Sequence, residues 1–571
     1  MIVKGLADLQ EVFVPFEASR AKEGVVIFHN KYIGSGLTRS EVVSRYSYVV
    51  TTHDAGEAIE SDKKTFFAER YGGDGILTNG GGGRCGFDGD YQVKGIGPNK
   101  LVGEDVEVSH ADGFLSVQSA LYEAIWAEVI NIALPYGAVR TLAVIDAGTK
   151  IPQSGQIHPR GLLVRVPVVR PAHFIRAVYF KEKKINSMSE DAKRVCAAIK
   201  KLVDFLPSPA VSLQQSGVSG RLGSGMLELA KRYAEQFAAA RAKCLVHENV
   251  SASNLSMDGA WLDLSSAGII SDLTIGDKTD IDNFKKEYFP AVNCIKSICF
   301  YLEKYGVISL SESNILLSEV SAIFAKEYER QLKLYSVLLA GFPKCFLIEV
   351  VSKSEFIEFS KYLEIILCFK GFSTTPIVFD SGWQGYESWQ FRLYDDLLGG
   401  KILNEEADLS WLGVGRVLAS ELCKSYNVLF DLVCDKAAAK GISFASVIFG
   451  ISINSTRLNR TSKVLYELGG VISNYAANTS HNNTAFSFES LVEDVYHAAY
   501  LGFFNESEYQ VPVWSTKIFN ISYDIPSEKF KIKTQGNVFF TENITQQETL
   551  AREDINHIVE FYKGVRGGLF E

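Results

Sequence analysis

The sequence predicts an α+β protein in two lobes, extended by a mainly helical carboxy-terminal region. Three observations carry that expectation. A glycine-dense stretch with short strand-like runs precedes residue 100, a long helical apolar repeat at 116 to 134 leads into further strand-like text, and helical runs dominate after about residue 330. A chain of 571 residues with 47% hydrophobic and 22% charged content has the makeup of a globular protein of two to four domains. The divisions expected are an α/β extension (1–70), a small lobe with the glycine-rich loop (71–182), a large lobe (183–330), and a carboxy-terminal region for acceptor or partner binding (331–571).

Charge and cysteine usage narrow the class. A net charge of −9 without a long basic run argues against nucleic acid or anionic lipid as partner. Nine cysteines with no CxxC pair read as buried thiols in a reducing compartment. The start, MIVKGLADLQEVF, lacks the features of a signal peptide, and the greasiest run is broken by Gly341, Pro343 and Lys344. No membrane span and a cytoplasmic location are therefore expected.

Taken in order, the first 70 residues mix short strands (GVVIFH, YSYVV) with polar connectors. GGDGILTNGGGGRCGFDGD then supplies positive-φ turns and close backbone approach to a ligand, or simply a surface loop. YQVK is a strand carrying Lys94, and the GIG turn with Gly95 and Gly97 follows it. In SVQSALYEAIWAEVINIAL, Val117, Leu121, Ile125, Val129 and Ile132 recur at helical spacing and predict an amphipathic helix. Glu123 and Glu128 on it lie five residues apart, roughly 140° around the axis. RTLAVID and GLLVRVPVVR read as strands, and HFIRAVYF follows. Glycine-rich turn, lysine strand and glutamate helix is the order of a protein-kinase small lobe, where the helix glutamate holds the strand lysine against phosphate.

Downstream, the helix MLELAKRYAEQFAAARAKC runs into LVHENVSASNLSMDGAWLDLSSAG. Asp258-Gly259 predicts a tight two-residue hairpin turn between NLSM and AWLDL. Such a hairpin brings Asn254 and Asp263 to one end, a pair of hard oxygens suited to Mg²⁺ on nucleotide phosphates. The bland alternative is a turn asparagine and a capping aspartate. HENVS lacks the second histidine of HExxH, so His247 is expected to hold the turn.

From about residue 66 to 300 these motifs, in this order, resemble the selenoprotein O family, which has a protein-kinase-like fold and transfers AMP from ATP to protein hydroxyls. GGGGR resembles the family's phosphate turn and implies roles for Gly82, Gly83 and Arg84. DYQVKGIG resembles its lysine strand and loop (Lys94, Gly95, Gly97). ADGFLSVQSALYEAIWAE places Glu123 on the lysine-pairing glutamate and Glu128 on a second family glutamate. HFIR implies that Arg176 contacts phosphate, and a further basic-pocket arginine falls on Arg165 or Arg170. Asn254 and Asp263 fall on the two metal ligands. The implied cofactors are ATP and Mg²⁺, with the nucleotide inverted so that AMP moves.

One departure changes the expected acceptor. The family has an aspartate directly before the metal-binding asparagine, and here Ser253 stands there. Serine is a poor base for a hydroxyl acceptor. That leaves an inactive scaffold, a hydroxyl AMPylator lacking its usual base, or an enzyme whose acceptor needs none. A carboxylate, with a pKa of ~4, is already ionised at neutral pH. Length, amino-terminal text and the long carboxy-terminal region are also similar to proteins that mature siderophore-bearing microcins. This implies a peptide acceptor activated at its carboxyl terminus, a glucosylated catecholate siderophore conjugate and an acyltransferase-like partner. In the carboxy-terminal half, EFIEFSKYLEIILCF and VLASELCKSYNVLFDLVC read as helices and SNYAANTSHNNTA (473–485) as a polar loop. Trp383, Tyr386 and Trp389 line a groove or belong to the core.

Overall fold

A computed structural model describes residues 4–50, 59–76, 78–104, 106, 111–153, 155–180, 188–209, 217–218, 220–276, 278–478, 488–504 and 509–566. Strands β1 (Phe13–Ala21), β2 (Val25–His29), β3 (Tyr48–Val49), β4 (Ile59–Glu69), β5 (Cys85–Phe87), β6 (Gln92–Lys94), β7 (Thr141–Gln153) and β8 (Gln156–Arg165) form one sheet. Its order is β2-β7-β8-β6-β5-β4-β1-β3, and every pairing is antiparallel. The expected boundary at residue 70 therefore runs through a single sheet, because β1 to β4 belong to it. GVVIFH and YSYVV supply its two edges.

The sheet's register builds the site. Lys94 pairs with Cys85 and Leu163, while Gln92 pairs with Phe87 and Arg165. Side chains directly opposite one another, and those two residues apart on one strand, share a face. Gln92, Lys94 and Arg165 therefore project together. β8 stops at Arg165, before Pro167, which has no N–H to offer a ladder. HFIRAVYF is not a strand: Pro171–Phe174 forms a 3₁₀ turn and the chain beyond is irregular.

The helix Val117–Ala133 is capped by the Ser116 hydroxyl, which accepts from the Ser119 amide at 3.2 Å. Pro135 holds Leu134 extended and ends it. The expected amphipathic stripe is a small part of what is covered, since Ala124, Trp126, Ala127 and Ile130 are buried as well. Strands β7 and β8 cover one side, and the helices Leu468–Asn478 and Phe488–Phe503 from the far end of the chain cover another. A helix enclosed this way keeps little solvent face to make polar, and Asn131 is its one exposed residue.

Helix Gly220–Ala242 packs along Leu310–Leu338, and in the sequence between them the short strands β9 (Leu245–Val246) and β10 (Gly268–Ile269) pair. The carboxy-terminal region holds the expected helices, Ser354–Lys370 and Arg416–Ala438 among them, and also two sheets that the helical expectation missed. β11 (Thr374–Val378), β12 (Gln384–Ser388) and β13 (Arg460–Ser462) form one. β14 (Gln510–Ser515), β15 (Phe519–Asp524), β16 (Lys529–Thr534) and β17 (Val538–Thr541) form an antiparallel meander. Of the expected loop 473–485, residues 473–478 are helical and the remainder lies outside the described residues. Trp383 packs edge-on to Phe561, Tyr386 packs on Tyr466, and the Trp389 indole donates to the Gly371 carbonyl. These contacts are internal packing. Among the described residues no helix is long and apolar enough to cross a membrane.

Candidate active site

The face shared by Gln92, Lys94 and Arg165 meets Glu123 from the covered helix and Asp263 from the irregular segment after Trp261. Lys94 Nζ lies 2.6 Å from Glu123 Oε2 and 2.5 Å from Asp263 Oδ1. Arg165 Nη1 bridges the same two carboxylates, at 3.1 Å from Glu123 Oε1 and 2.8 Å from Asp263 Oδ1. Arg170 donates to the Ser253 carbonyl at 2.9 Å and stands 3.8 Å from Asp263 Oδ2. Lys94 is 2% exposed, and only Asp263, at 19% of its side chain, reaches toward solvent.

A second ring, unforeseen from the sequence, completes the cluster. Glu69 accepts from Gln92, pairs with His173 Nε2 at 3.0 Å and lies 3.9 Å from Arg170. Gln92 Oε1 in turn accepts from both Arg165 and Arg170. Lys94, Arg165 and Arg170 thus balance Glu69, Glu123 and Asp263, which is what buried charges require. Burial penalises the ionised form of Asp263, yet Arg165, Lys94 and Arg170 hold its carboxyl well below the usual range. Burial keeps His173 neutral by pushing its pKa down, against the pull of Glu69. Gln92 was legible in principle, two residues before Lys94 on one strand. Glu69 and His173 reach the site only through the tertiary fold.

The segment that presents Asn254 and Asp263 is looser than a two-residue hairpin. One bridge joins Leu255 to Trp261, the Ser256 amide donates to the Ala260 carbonyl, and Gly259 turns at φ +110°. The Leu262 amide donates to the Asn254 carbonyl at 3.1 Å, so the backbones of Asn254 and Leu262, which precedes Asp263, do meet. Asp263 itself has φ +60°, as left-handed as Cys244 (+57°) and Glu248 (+64°) earlier in the segment. Non-glycine residues take this region at a cost, and such residues gather where a site demands them. His247 holds the turn as expected: its ring bonds the Leu262 carbonyl at 3.0 Å and packs on Trp261. Its amide and that of Glu248 both donate to Glu287, at 2.9 and 2.6 Å. Burial pushes the Glu287 carboxyl up to about 7.

The remaining expected residues make other contacts. Glu128 is bound by Arg140, at 2.9 and 2.5 Å, and by Asn30, and makes no hydrogen bond or ion pair with the Lys94 cluster among the described residues. The Gly82 and Gly83 amides donate within the chain, to Glu69 and Gly81, and Asn99 bonds the Gly82 and Cys85 carbonyls. Arg84 is half-buried, and its carbonyl accepts from Gly95. A Cβ on Gly95 would stand 2.5 Å from the Gly161 carbonyl oxygen, and one on Gly97 2.8 Å from that of Val50. Positive φ, +92° and +112°, and close neighbouring backbone both call for glycine at these positions. Arg176 lies 3.9 Å from Asp191 and lines a cavity of about 440 Å³ with Gly73, Gly75, Ala252 and Lys296. Ser253 bonds Ser251 through their hydroxyls at 2.9 Å.

A hard cation fits the donors present. Asp263 Oδ2 stands 3.8 Å from Arg170 Nη1, and Asn254 Oδ1 receives a 3.4 Å contact from the Ser253 hydroxyl. Among the described residues no three His, Cys, Asp or Glu side chains gather into a protein-only cage. Two oxygens with phosphate and water to complete the shell is a usual arrangement for Mg²⁺. Three cations around Asp263 make such an ion costly unless phosphate arrives with it. Comparison of the sequence with protein-family models and with curated proteins finds no match.

Proposed function

We propose that this protein is an ATP- and Mg²⁺-dependent adenylyltransferase with a two-lobed, kinase-like core, acting on the carboxylate of a peptide or protein. The observation that carries the reading is a buried lysine held at once by a helix carboxylate and by the Asp263 carboxylate. Glu123 positions the ammonium, and exchange of Asp263 for phosphate oxygen frees it to neutralise phosphate charge. Arg165 and Arg170 keep Asp263 ionised. Asn254 and Asp263 would hold Mg²⁺, which supplies further charge neutralisation on the phosphates.

Ser253, whose hydroxyl bonds that of Ser251, is a poor base for an acceptor hydroxyl. An ionised carboxylate needs no such base. Its oxygen attacks the α-phosphorus, the bond from that phosphorus to the bridging oxygen of the β-phosphate breaks, and pyrophosphate leaves with the electron pair. The product is an acyl-adenylate ready for attack by a second substrate. Incubation with ATP labelled on the α- or γ-phosphate and a peptide acid tests this: α-label and pyrophosphate should appear together, and Lys94→Ala should abolish both. Release of ADP with γ-label on the acceptor would identify a kinase instead.

Ser253 also favours a second reading, a nucleotide- or partner-binding scaffold without turnover. Calorimetry with Mg·ATP separates it. Binding without pyrophosphate release, across peptide acids and hydroxyl acceptors, would establish the scaffold.

A further inference from the structure

A second cavity of about 440 Å³ lies at the junction of the large lobe and the carboxy-terminal region, and neither Lys94, Glu123 nor Asp263 lines it. Its walls are apolar and partly aromatic, with Ile269, Phe284, Leu332, Leu339, Leu367 and Phe372 among them. Phe284 and Phe372 meet edge to face at 5.9 Å. The volume suits a small organic molecule of ordinary cofactor or drug size.

Its charge is opposite to that of the chain. The lining carries Arg241, Lys243, Lys285, Lys333 and Lys370 against Glu329 and Glu364 only, in a protein of net charge −9. Lys333 is paired with Glu329 at 2.6 Å, and Lys243 donates to the Phe503 carbonyl. Arg241, Lys285 and Lys370 occupy the last turns of three different helices, Gly220–Ala242, Lys278–Lys286 and Ser354–Lys370. Each helix end offsets only about half a charge, so three ends leave the lining positive by about 1.5 charges. Lys285 and Lys370 form no ion pair among the described residues, and Lys370 instead lies over the Trp411 ring.

We propose that this cavity binds an amphipathic anion, its apolar body against Phe284, Leu332 and Phe372 and its acidic head toward Lys285 and Lys370. The proposal is independent of nucleotide chemistry at Lys94. Cys368, the exposed cysteine among the nine, lines the same cavity and reports on its occupancy.

The test uses the full chain without ATP. 8-Anilinonaphthalene-1-sulfonate should bind saturably at one site and be displaced by dodecanoate at least tenfold more readily than by dodecanol. Leu332→Trp, which fills the cavity, should weaken the probe at least tenfold, and the double charge reversal Lys285→Glu with Lys370→Glu should erase the preference for dodecanoate. Equal displacement by the alcohol, unchanged binding to a folded Leu332→Trp chain, or displacement by Mg·ATP alone would overturn the proposal. If Leu332→Trp fails to fold, alkylation of Cys368 in the native chain decides. Dodecanoate should slow it at least fivefold, and an unchanged rate refutes the site.

Discussion

Replacing Glu287 by glutamine should remove a pH dependence that the native chain carries at the base of its Asn254 loop. Glu287 is buried and accepts the amides of His247 and Glu248. Its carboxyl is pushed by burial to about 7 from an ordinary 4.5. Between those values the folded chain keeps a proton that the unfolded chain has lost, so stability falls as pH rises and the loss is complete above pH 7. The difference corresponds to about 3 kcal/mol, most of it between pH 5 and 8. Glutamine is neutral throughout and still offers an oxygen to the two amides. Urea unfolding of both chains at pH 5, 6, 7 and 8 should therefore give curves that converge at low pH, with Glu287→Gln the more stable by about 2–3 kcal/mol at pH 8. Hydrogen exchange at the His247 and Glu248 amides should quicken with pH beyond its intrinsic base dependence in the native chain alone. Parallel stability curves for the two chains would refute the reasoning.

Other expectations are local. Lys94→Met leaves the carboxylates of Glu69, Glu123 and Asp263 facing two guanidinium groups and should cost about 3–5 kcal/mol in denaturant unfolding, much of it recovered when Glu123→Gln is added. Asn99→Ala removes bonds to the Gly82 and Cys85 carbonyls, at 2.7 and 3.0 Å, and should cost about 2 kcal/mol while speeding proteolysis within residues 80–85. In a thiol titration of the native protein Cys368 should react first. Cys299, buried and with its thiol pushed to about 12, should react only on unfolding.

The pairing of Lys94 with Glu123 was legible from the order of a lysine strand followed by a glutamate helix, whereas the ion pair of Lys94 with Asp263 was not, because the hairpin text points Asp263 at a metal shared with Asn254. Glu69 and His173 were not, because they meet Arg170 and Gln92 only after strands and a 3₁₀ turn distant in sequence have packed. The glycines carry a packing role that text alone does not show. Gly95 and Gly97 look like a ligand loop in text, yet the backbone that crowds them belongs to Gly161 and Val50. The β14–β17 meander left an alternating trace in FNISYD and KFKIKT, outweighed by the helical runs around it. Enclosure of the Val117–Ala133 helix left none, since its second cover is remote in sequence.

That remoteness constrains how the chain matures during synthesis. The helix bearing Glu123 emerges early, but the Phe488–Phe503 helix that closes over it follows about 370 residues later, or some 20–70 s at ordinary translation rates of ~5–20 residues per second. Tyr32 waits longer still for the stack with Tyr496, and Lys31 and Arg39 wait 462 and 450 residues for Glu493 and Glu489. Throughout that interval the side of the Val117–Ala133 helix that meets Phe488–Phe503 stays uncovered. A nascent chain in this state is a natural client for chaperones, and a gene truncated before residue 488 would express a protein that never leaves it.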